Sequence, residues 1–183
     1  MNVHTHFMLI EPLATPTAAE LRELKSLLAE CVNDGASIGF LAPLADAEAD
    51  AYWRKATAEA HAGHRVILVA REEAGGPILG SAQLGLESRP NGRHRAEVQK
   101  VIVRPMYRRR GIARELMDAV EAAARDRWVR LLFLDTSEGR GGARAFYESL
   151  DYTYVGGIPG YALDPDGTPA QNAIYYKTLA PAR

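Results

Sequence analysis

A single cysteine, Cys31, occurs in 183 residues, so no internal disulfide can staple the chain and packing must hold the fold. Cys31 falls in register with Leu21, Leu24 and Leu28 on one helical face, which makes core packing its expected role. No apolar run approaches the roughly 20 residues that a bilayer-spanning helix requires, and no basic segment followed by an apolar core opens the chain. Neither a membrane span nor an export signal is expected, which leaves the cytoplasm as the expected location. An excess of charge is missing too: 22 Lys and Arg against 23 Asp and Glu leave a formal net charge of −1. That balance gives no bulk attraction to nucleic acid or to a membrane surface, so any basic cluster must act locally. His4, His6, His61, His64 and His94 lack clustered acidic or cysteine partners, and no metal site is expected. Trp53 and Trp128, the only two tryptophans, are expected to pack.

What is present suits one ordinary domain spanning residues 1–183: 47% apolar residues can bury a proper core and 25% charged residues can solvate its surface. Phe7 to Ile10 reads as a short strand. Thr17-Ala18-Ala19-Glu20 is a capping box in front of the Leu21, Leu24, Leu28, Cys31 stripe, predicting a helix to about Asn33. Asp46 is expected to cap a second helix that carries Tyr52, Trp53 and Ala56 on one side and ends at His61-Ala62-Gly63-His64. Val66 to Ala70, Ile78 to Leu86 and Arg95 to Val103 read as three antiparallel strands, joined at Gly75-Gly76-Pro77 and Asn91-Gly92. A helix to about Arg125, a strand from Val129 to Asp135, a helix from about Gly142 to Leu150, and strands near Tyr154 and at Ile174 to Lys177 complete the series. The predicted fold is a mixed α/β (α+β) arrangement: a mostly antiparallel central sheet flanked by helices, with one strand-helix-strand crossover.

Arg108-Arg109-Arg110-Gly111-Ile112-Ala113 sits where the apolar strand Val101-Ile102-Val103 hands over to that crossover helix. A helix start has main-chain N–H groups without internal partners and about half a positive charge from the helix dipole, so it attracts phosphate. Gly111 lets a phosphate oxygen approach, Ala113 adds little bulk, and three arginines supply charge. With Arg108, Gly111 and Ala113 at its fixed positions, the stretch resembles the (Q/R)xxGx(G/A) acetyl-CoA signature of the Gcn5-related N-acetyltransferase (GNAT) family. Ala143-Arg144-Ala145-Phe146-Tyr147-Glu148-Ser149-Leu150-Asp151-Tyr152 resembles that family's second cofactor segment. The resemblance implies a sheet whose two central strands splay apart, and acetyl-CoA as cosubstrate. It also implies a cofactor site made of Val101, Ile102 and Val103, of Arg108 through Arg114, and of Ala143 and Phe146. The N–H groups of Val101 to Val103 would hold the thioester oxyanion, with their side chains in the core.

Further segments resemble one branch of the family, acetyltransferases that inactivate a β-lactam amino-acid toxin. They are Gly35 to Phe40, Arg89 to Gly92, Arg95 to Lys100, Leu134 to Thr136, Ile158 to Tyr161, Pro165 to Gly167 and Ile174 to Leu179. Most lie outside the cofactor signature, and the Gly35 to Phe40 and Pro159 to Tyr161 loops bear on the acceptor. Ser37, Phe40 and Tyr161 are the expected acceptor-binding residues. Tyr152 is a further aromatic for that pocket or for the core.

Transfer to an amine needs a neutral nucleophile, and an amine with a lysine-like pKa is only about 0.04% neutral at pH 7. Glu97, on the strand leading to the phosphate loop, and Asp135, at the carboxyl end of the next strand, are the expected base and ammonium anchor, in either assignment. The plainer alternatives are a sheet-surface charge for Glu97 beside Arg95 and Lys100, and a turn cap for Asp135 before Thr136. Tyr147 matches the family position whose phenol protonates the departing CoA thiolate, with packing against the sheet as the alternative. These features together predict an acetyl-CoA-dependent N-acetyltransferase acting on a small amine by direct transfer, a toxin or antibiotic being the leading acceptor. Peptide or protein amines, and acyl-CoA sensing without turnover, are the rival expectations. An exposed apolar edge would permit a homodimer, though no stretch specifies one.

Overall fold

The computed structural model describes residues 8–137 and 143–180. Strand β1 (Leu9–Pro12) reaches two residues further along the chain than the expected Phe7 to Ile10, while Phe7, His4, His6 and Gly142 lie outside the described residues. Helix α1 (Ala18–Asn33) begins with the predicted capping box: the Thr17 hydroxyl accepts from the Glu20 N–H and the Glu20 carboxylate accepts from the Thr17 N–H at 2.8 Å. Helix α2 (Asp46–His61) starts differently from expectation. Ala45 holds the cap position without a side-chain bond, and Asp46, the first helical residue, instead accepts from Lys25 of α1 at 2.8 Å. A carboxylate in the first turn still complements the helix dipole, and here it also fastens two helices together.

Strands β2 (Arg65–Arg71), β3 (Gly80–Leu86) and β4 (Arg95–Val103) follow as the predicted antiparallel meander, with β1 paired outside β2. Ile78 and Leu79 precede β3 rather than belonging to it. Asn91-Gly92 closes no two-residue hairpin; Pro90–Gly92 form a one-turn 3₁₀ helix, for which Pro90 pre-sets φ, and Glu87 accepts from both Arg89 and Arg95 around it. Helix α3 (Ile112–Arg125) then crosses over to β5 (Leu131–Ser137), parallel to β4. Helix α4 (Ala143–Glu148), β6 (Thr153–Gly156), a small hairpin of β7 (Ala162–Leu163) and β8 (Pro169–Ala170), and β9 (Asn172–Thr178) complete the described chain. The strand order in the sheet is β1-β2-β3-β4-β5-β9-β6.

Helices cover the sheet unequally. Val66, Leu68 and Ala70 of β2 pack toward Leu116, Val120 and Ala124 of α3, in a cluster that runs on through β4, β5 and β9. Ile67 and Val69, on the other face, pack toward Leu24, Leu28 and Cys31 of α1 and Trp53 and Ala56 of α2. No residue of β5, β9 or β6 joins this second cluster, so that half of the face stays open, with Asp135 and Tyr176 exposed on it. Cys31 packs as expected. Trp128 does not: it is 73% exposed at φ +61°, because the chain must reverse there to leave α3 for β5.

Helix α3 is seated against β3 at Gly80, where an added Cβ would lie 2.9 Å from the Ile102 carbonyl oxygen and 3.3 Å from the Ile112 side chain. Gly80→Ala is therefore expected to cost about 1–3 kcal/mol of stability, read as a lower urea midpoint at unchanged slope. An unchanged midpoint would show that α3 can ride outward freely.

Candidate active site

The ladder between β4 and β5 stops early. Its last paired residues are Glu97 and Phe133, whereas β4 continues to Val103 and β5 to Ser137. The two strands that the sequence resemblance implied to splay thus part after Glu97, leaving the main chain of β4 without a strand partner on that side. A bulge accompanies the divergence: the pairing of β3 with β4 steps from Gln83–Gln99 to Ser81–Ile102, so β4 carries one extra residue, and Lys100 there has φ +49°. Bulges bend a strand and re-aim its side chains. Ala96 and Val98 face the α3 cluster before the bulge; Val101 and Val103 face it afterwards, while Ile102 turns to the α1 side. Val101 is half-buried, and Ile102 and Val103 are buried, as expected of residues that would contribute only their main chain.

At the mouth of this gap the loop of Arg108 to Gly111 leads into α3. Gly111 occupies the cap position at φ +85°, no side chain caps the helix, and the space where a Cβ would sit is open. Arg109 is also left-handed, at φ +62°, and Arg110 lies over the Tyr107 ring with its guanidinium carbon 5.0 Å from the centroid. The uncapped N–H groups at Ile112 and Ala113, beside two arginines, are a donor set suited to a pyrophosphate. Two of the arginines expected there are engaged elsewhere. Arg108 donates to Asp34 at the end of α1 (2.5 Å) and to the Val103 carbonyl (3.3 Å), and Arg114 donates to the Ser149 hydroxyl at 2.9 Å. Arg108 thus braces the loop against α1. Ala143 and Phe146 are partly buried against the α3-side core, and Arg140 of the same segment lies outside the described residues.

Several candidate groups line the gap, Lys100, Glu97 and Asp135 on the α2 side of the sheet and Tyr147 in the α3-side core. The charge of Asp135 acts on both Tyr147 and Lys100, and that of Glu97 acts on Lys100. Glu97 accepts from the Gln99 amide at 2.7 Å and opens on a cavity of about 360 Å³ that Arg65, Glu59 and Phe133 also line. Tyr147 is buried, edge-on to Phe146 (5.1 Å) and Tyr152 (5.9 Å) and tilted on Tyr175 (5.8 Å). Burial first, then the Asp135 and Tyr175 charges, raises the pKa of its phenol above the ordinary value. Phe40 stands edge-on to Tyr52 at 5.4 Å, and Lys100 lies over both rings.

The loop that carries Gly35 to Phe40 meets the hairpin that follows Pro159 to Tyr161: the Ala42 N–H between α1 and α2 donates to the Pro165 carbonyl in the β7–β8 hairpin at 2.9 Å. Ser37 is half-buried in the first loop. Tyr161 is 53% exposed before β7, and among the described residues no ring contact ties it to Phe40. Tyr152 belongs to the core rather than to a pocket, at 3% exposure.

Sequence inspection missed Lys100 and Tyr52, and with them the polar chain beneath: Tyr52 and Arg65 donate to Gln83, and Arg65 also donates to Gln99. The available signal was the run of polar residues, Gln83, Glu97 and Gln99, at alternate positions of strands otherwise rich in apolar residues.

The sequence model of the Acetyltransferase (GNAT) family matches residues 22–152. The chain belongs to this family. An uncharacterised N-acetyltransferase of the hisH-hisA intergenic region in Azospirillum brasilense is 33% identical over 131 residues, 70% of this chain and 75% of that protein. A ribosomal-protein-alanine N-acetyltransferase of Brucella melitensis superposes with a TM-score of 0.75 at 23% identity, over 93% of this chain and 99% of that one. A phosphinothricin acetyltransferase of Sinorhizobium meliloti in complex with acetyl-CoA does so at 0.75 and 18%, over 94% and 88%. The GNAT chain is thus an acyltransferase that draws on acetyl-CoA. The fold fits that cosubstrate, because the splayed gap and the uncapped start of α3 share one end of the sheet.

Gly111→Val would force a β-branched residue to φ +85°. The expected result is weaker acetyl-CoA binding by about tenfold or more, measured calorimetrically, at a cost in stability no larger than local strain of about 1–3 kcal/mol implies. Unchanged affinity would remove this turn from the cofactor site.

Proposed function

We propose that this enzyme acetylates the amine of a small molecule by direct transfer within a ternary complex, with Asp135 as base, Glu97 as ammonium anchor and Tyr147 as acid. The observation that carries this assignment is the position of Asp135 beyond the last β4–β5 pair, close enough to Tyr147 for its charge to raise the phenol. Acetyl-CoA supplies an acetyl group activated as a thioester. Asp135 accepts the proton that an ammonium must lose before it can attack, directly or through one water. Glu97, fixed by Gln99, holds the positive charge of the incoming amine. Tyr147, its pKa raised, stays protonated through neutral pH and is available as a donor to the departing sulfur. The β4 main chain from Val101 to Val103, paired with β3 but without a partner on the β5 side, stabilises the developing oxyanion. Arg109, Arg110 and the N–H groups at the start of α3 hold the pyrophosphate.

A small acceptor is favoured because the α1–α2 loop and the β7–β8 hairpin are bonded to each other through Ala42 and Pro165, closing one side of the approach. The resemblance of Gly35 to Phe40 and of Pro159 to Tyr161 to acetyltransferases that inactivate a β-lactam amino-acid toxin makes such a toxin, or an antibiotic amine, the leading acceptor. A cytoplasmic location, where acetyl-CoA is at hand, accords with this reading. Peptide amines are the second reading, favoured by the open face along β5, β9 and β6 and by the structural likeness to the ribosomal-protein-alanine enzyme.

Thiol release from acetyl-CoA, measured over a panel of β-lactam, amino-acid and aminoglycoside amines and peptides, tests the acceptor class, and turnover confined to peptides would overturn the small-molecule reading. Asp135→Asn and Tyr147→Phe are each expected to lower kcat by about a hundredfold or more while leaving acetyl-CoA affinity nearly unchanged. Full kcat in either variant removes that residue from its role.

A further inference from the structure

The β4 bulge places a cation where the mechanism above gives it no task. Lys100 occupies the left-handed region at φ +49°, which is unfavourable for a residue with a Cβ, and its side chain reaches toward α2. Its ammonium nitrogen lies 5.7 Å from the Phe40 centroid and 5.6 Å from that of Tyr52, and a Cβ on Gly39 would come within 3.6 Å of it. Lys25 and Lys177 each meet a carboxylate, at 2.8 and 2.6 Å. Lys100 has no carboxylate within 4.0 Å and no hydrogen bond among the described residues. Burial and the charge of Arg65 lower its pKa, while Asp135 and Glu97 act to raise it. Two aromatic faces and the field of two nearby acids therefore hold the ammonium, with no bonded partner.

A second donor is stranded nearby. The Gln83 amide nitrogen is buried without an acceptor, because its own oxygen already accepts from the Tyr52 hydroxyl (2.9 Å) and from Arg65 (2.7 Å). Tyr52 touches both donors, with its hydroxyl at Gln83 and its ring under Lys100. A buried donor without an acceptor is costly to keep, and Gln83 stands beside a half-buried cation in the same condition. Here they adjoin the acceptor side of a transferase, and the charge distribution has two poles: Asp135 and Glu97 at one, Lys100 at the other.

We infer that Lys100 receives an anionic group, a carboxylate in the simplest case, that the acceptor carries on the same molecule as its reacting amine. The inference rests on the reading of Asp135 and Glu97 as acceptor-side residues and adds the specificity that reading lacks. The acids take the ammonium, Lys100 takes the carboxylate, and Phe40 and Tyr52 exclude water between them, so the acceptor binds in one orientation with its amine toward Asp135. An amine of the same size without the anion leaves the cation unanswered and is selected against.

Matched acceptors that differ only in the carboxylate test this: phenylalanine against phenethylamine and lysine against cadaverine, assayed by thiol release with the native enzyme, Lys100→Met and Lys100→Arg. The native enzyme should prefer the carboxylate-bearing member by about thirtyfold or more in kcat/KM. Lys100→Met should erase that preference mainly through KM, and Lys100→Arg should restore most of it. Acetyl-CoA affinity and thermal midpoint, equal in all three proteins, certify the fold. A preference that survives in Lys100→Met, or native turnover indifferent to the carboxylate, overturns the inference while leaving small-amine transfer intact. Turnover of peptide amines alone overturns both. Should none of these amines turn over, calorimetric titration of the CoA-bound protein with the same pairs decides, and equal or absent binding within every pair overturns the inference.

Discussion

The main chain of β4 loses its neighbour after Glu97, and the rest of the site depends on that loss. In a continuous sheet the N–H and C=O groups of Gln99 to Val103 would be spent on β5. Here β5 takes β9 on its other edge and diverges from β4, so the main-chain groups of β4 beyond Glu97 have no strand partner on that side, and one of them, the Val103 carbonyl, accepts from Arg108 instead. A buried strand tolerates that only where something else satisfies them, which is why the gap reads as a binding slot rather than a defect. The bulge at Lys100 belongs to the same event. It lets β3 and β4 stay paired on either side of one extra residue while β4 bends away.

Two consequences reach both ends of the reaction. Toward the cofactor, the strand delivers its chain into a loop whose left-handed Arg109 and Gly111 turn it sharply into α3, and Gly80 lets that helix sit close on β3. Arg108, braced on Asp34, links this loop to the end of α1, from which the acceptor loop departs. Toward the acceptor, the displaced Lys100 meets Phe40 of that same loop. The loop before α3 and the α1–α2 loop are therefore anchored on one strand and on one helix terminus, a frame that suits the proposed meeting of two substrates in a single geometry.

The electrostatics around the gap are set by unequal solvation. Tyr147 is buried among aromatic rings, so its phenol is hard to ionise. Asp135 stands on the uncovered half of the sheet and keeps access to water. A phenol that stays protonated and a carboxylate that stays wet, within electrostatic reach of each other from α4 and β5, suit the proposed proton transfer in opposite directions across one thioester.

Local chemistry carried much of this protein in its sequence. The capping box before α1, the glycine needed at the start of α3, the alternation that fixes β2 to β4 and the order of strand, loop and helix all depend on residues within a few positions of one another. The positions of Glu97 and Asp135 on consecutive strands and of Tyr147 on the helix after them could be read in the sequence, because each depends on the order of local elements. The short β7–β8 hairpin was not legible, its strands of two residues being too brief to show periodicity. The pairing of Arg108 with Asp34, the burial of Tyr152, the exposure of Trp128 and the seat of Lys100 on Phe40 and Tyr52 were decided by the tertiary structure alone. Each depends on where distant segments meet or where the chain must reverse. A charge or a ring has no fixed partner until packing has chosen which distant surface it faces and how much water it keeps.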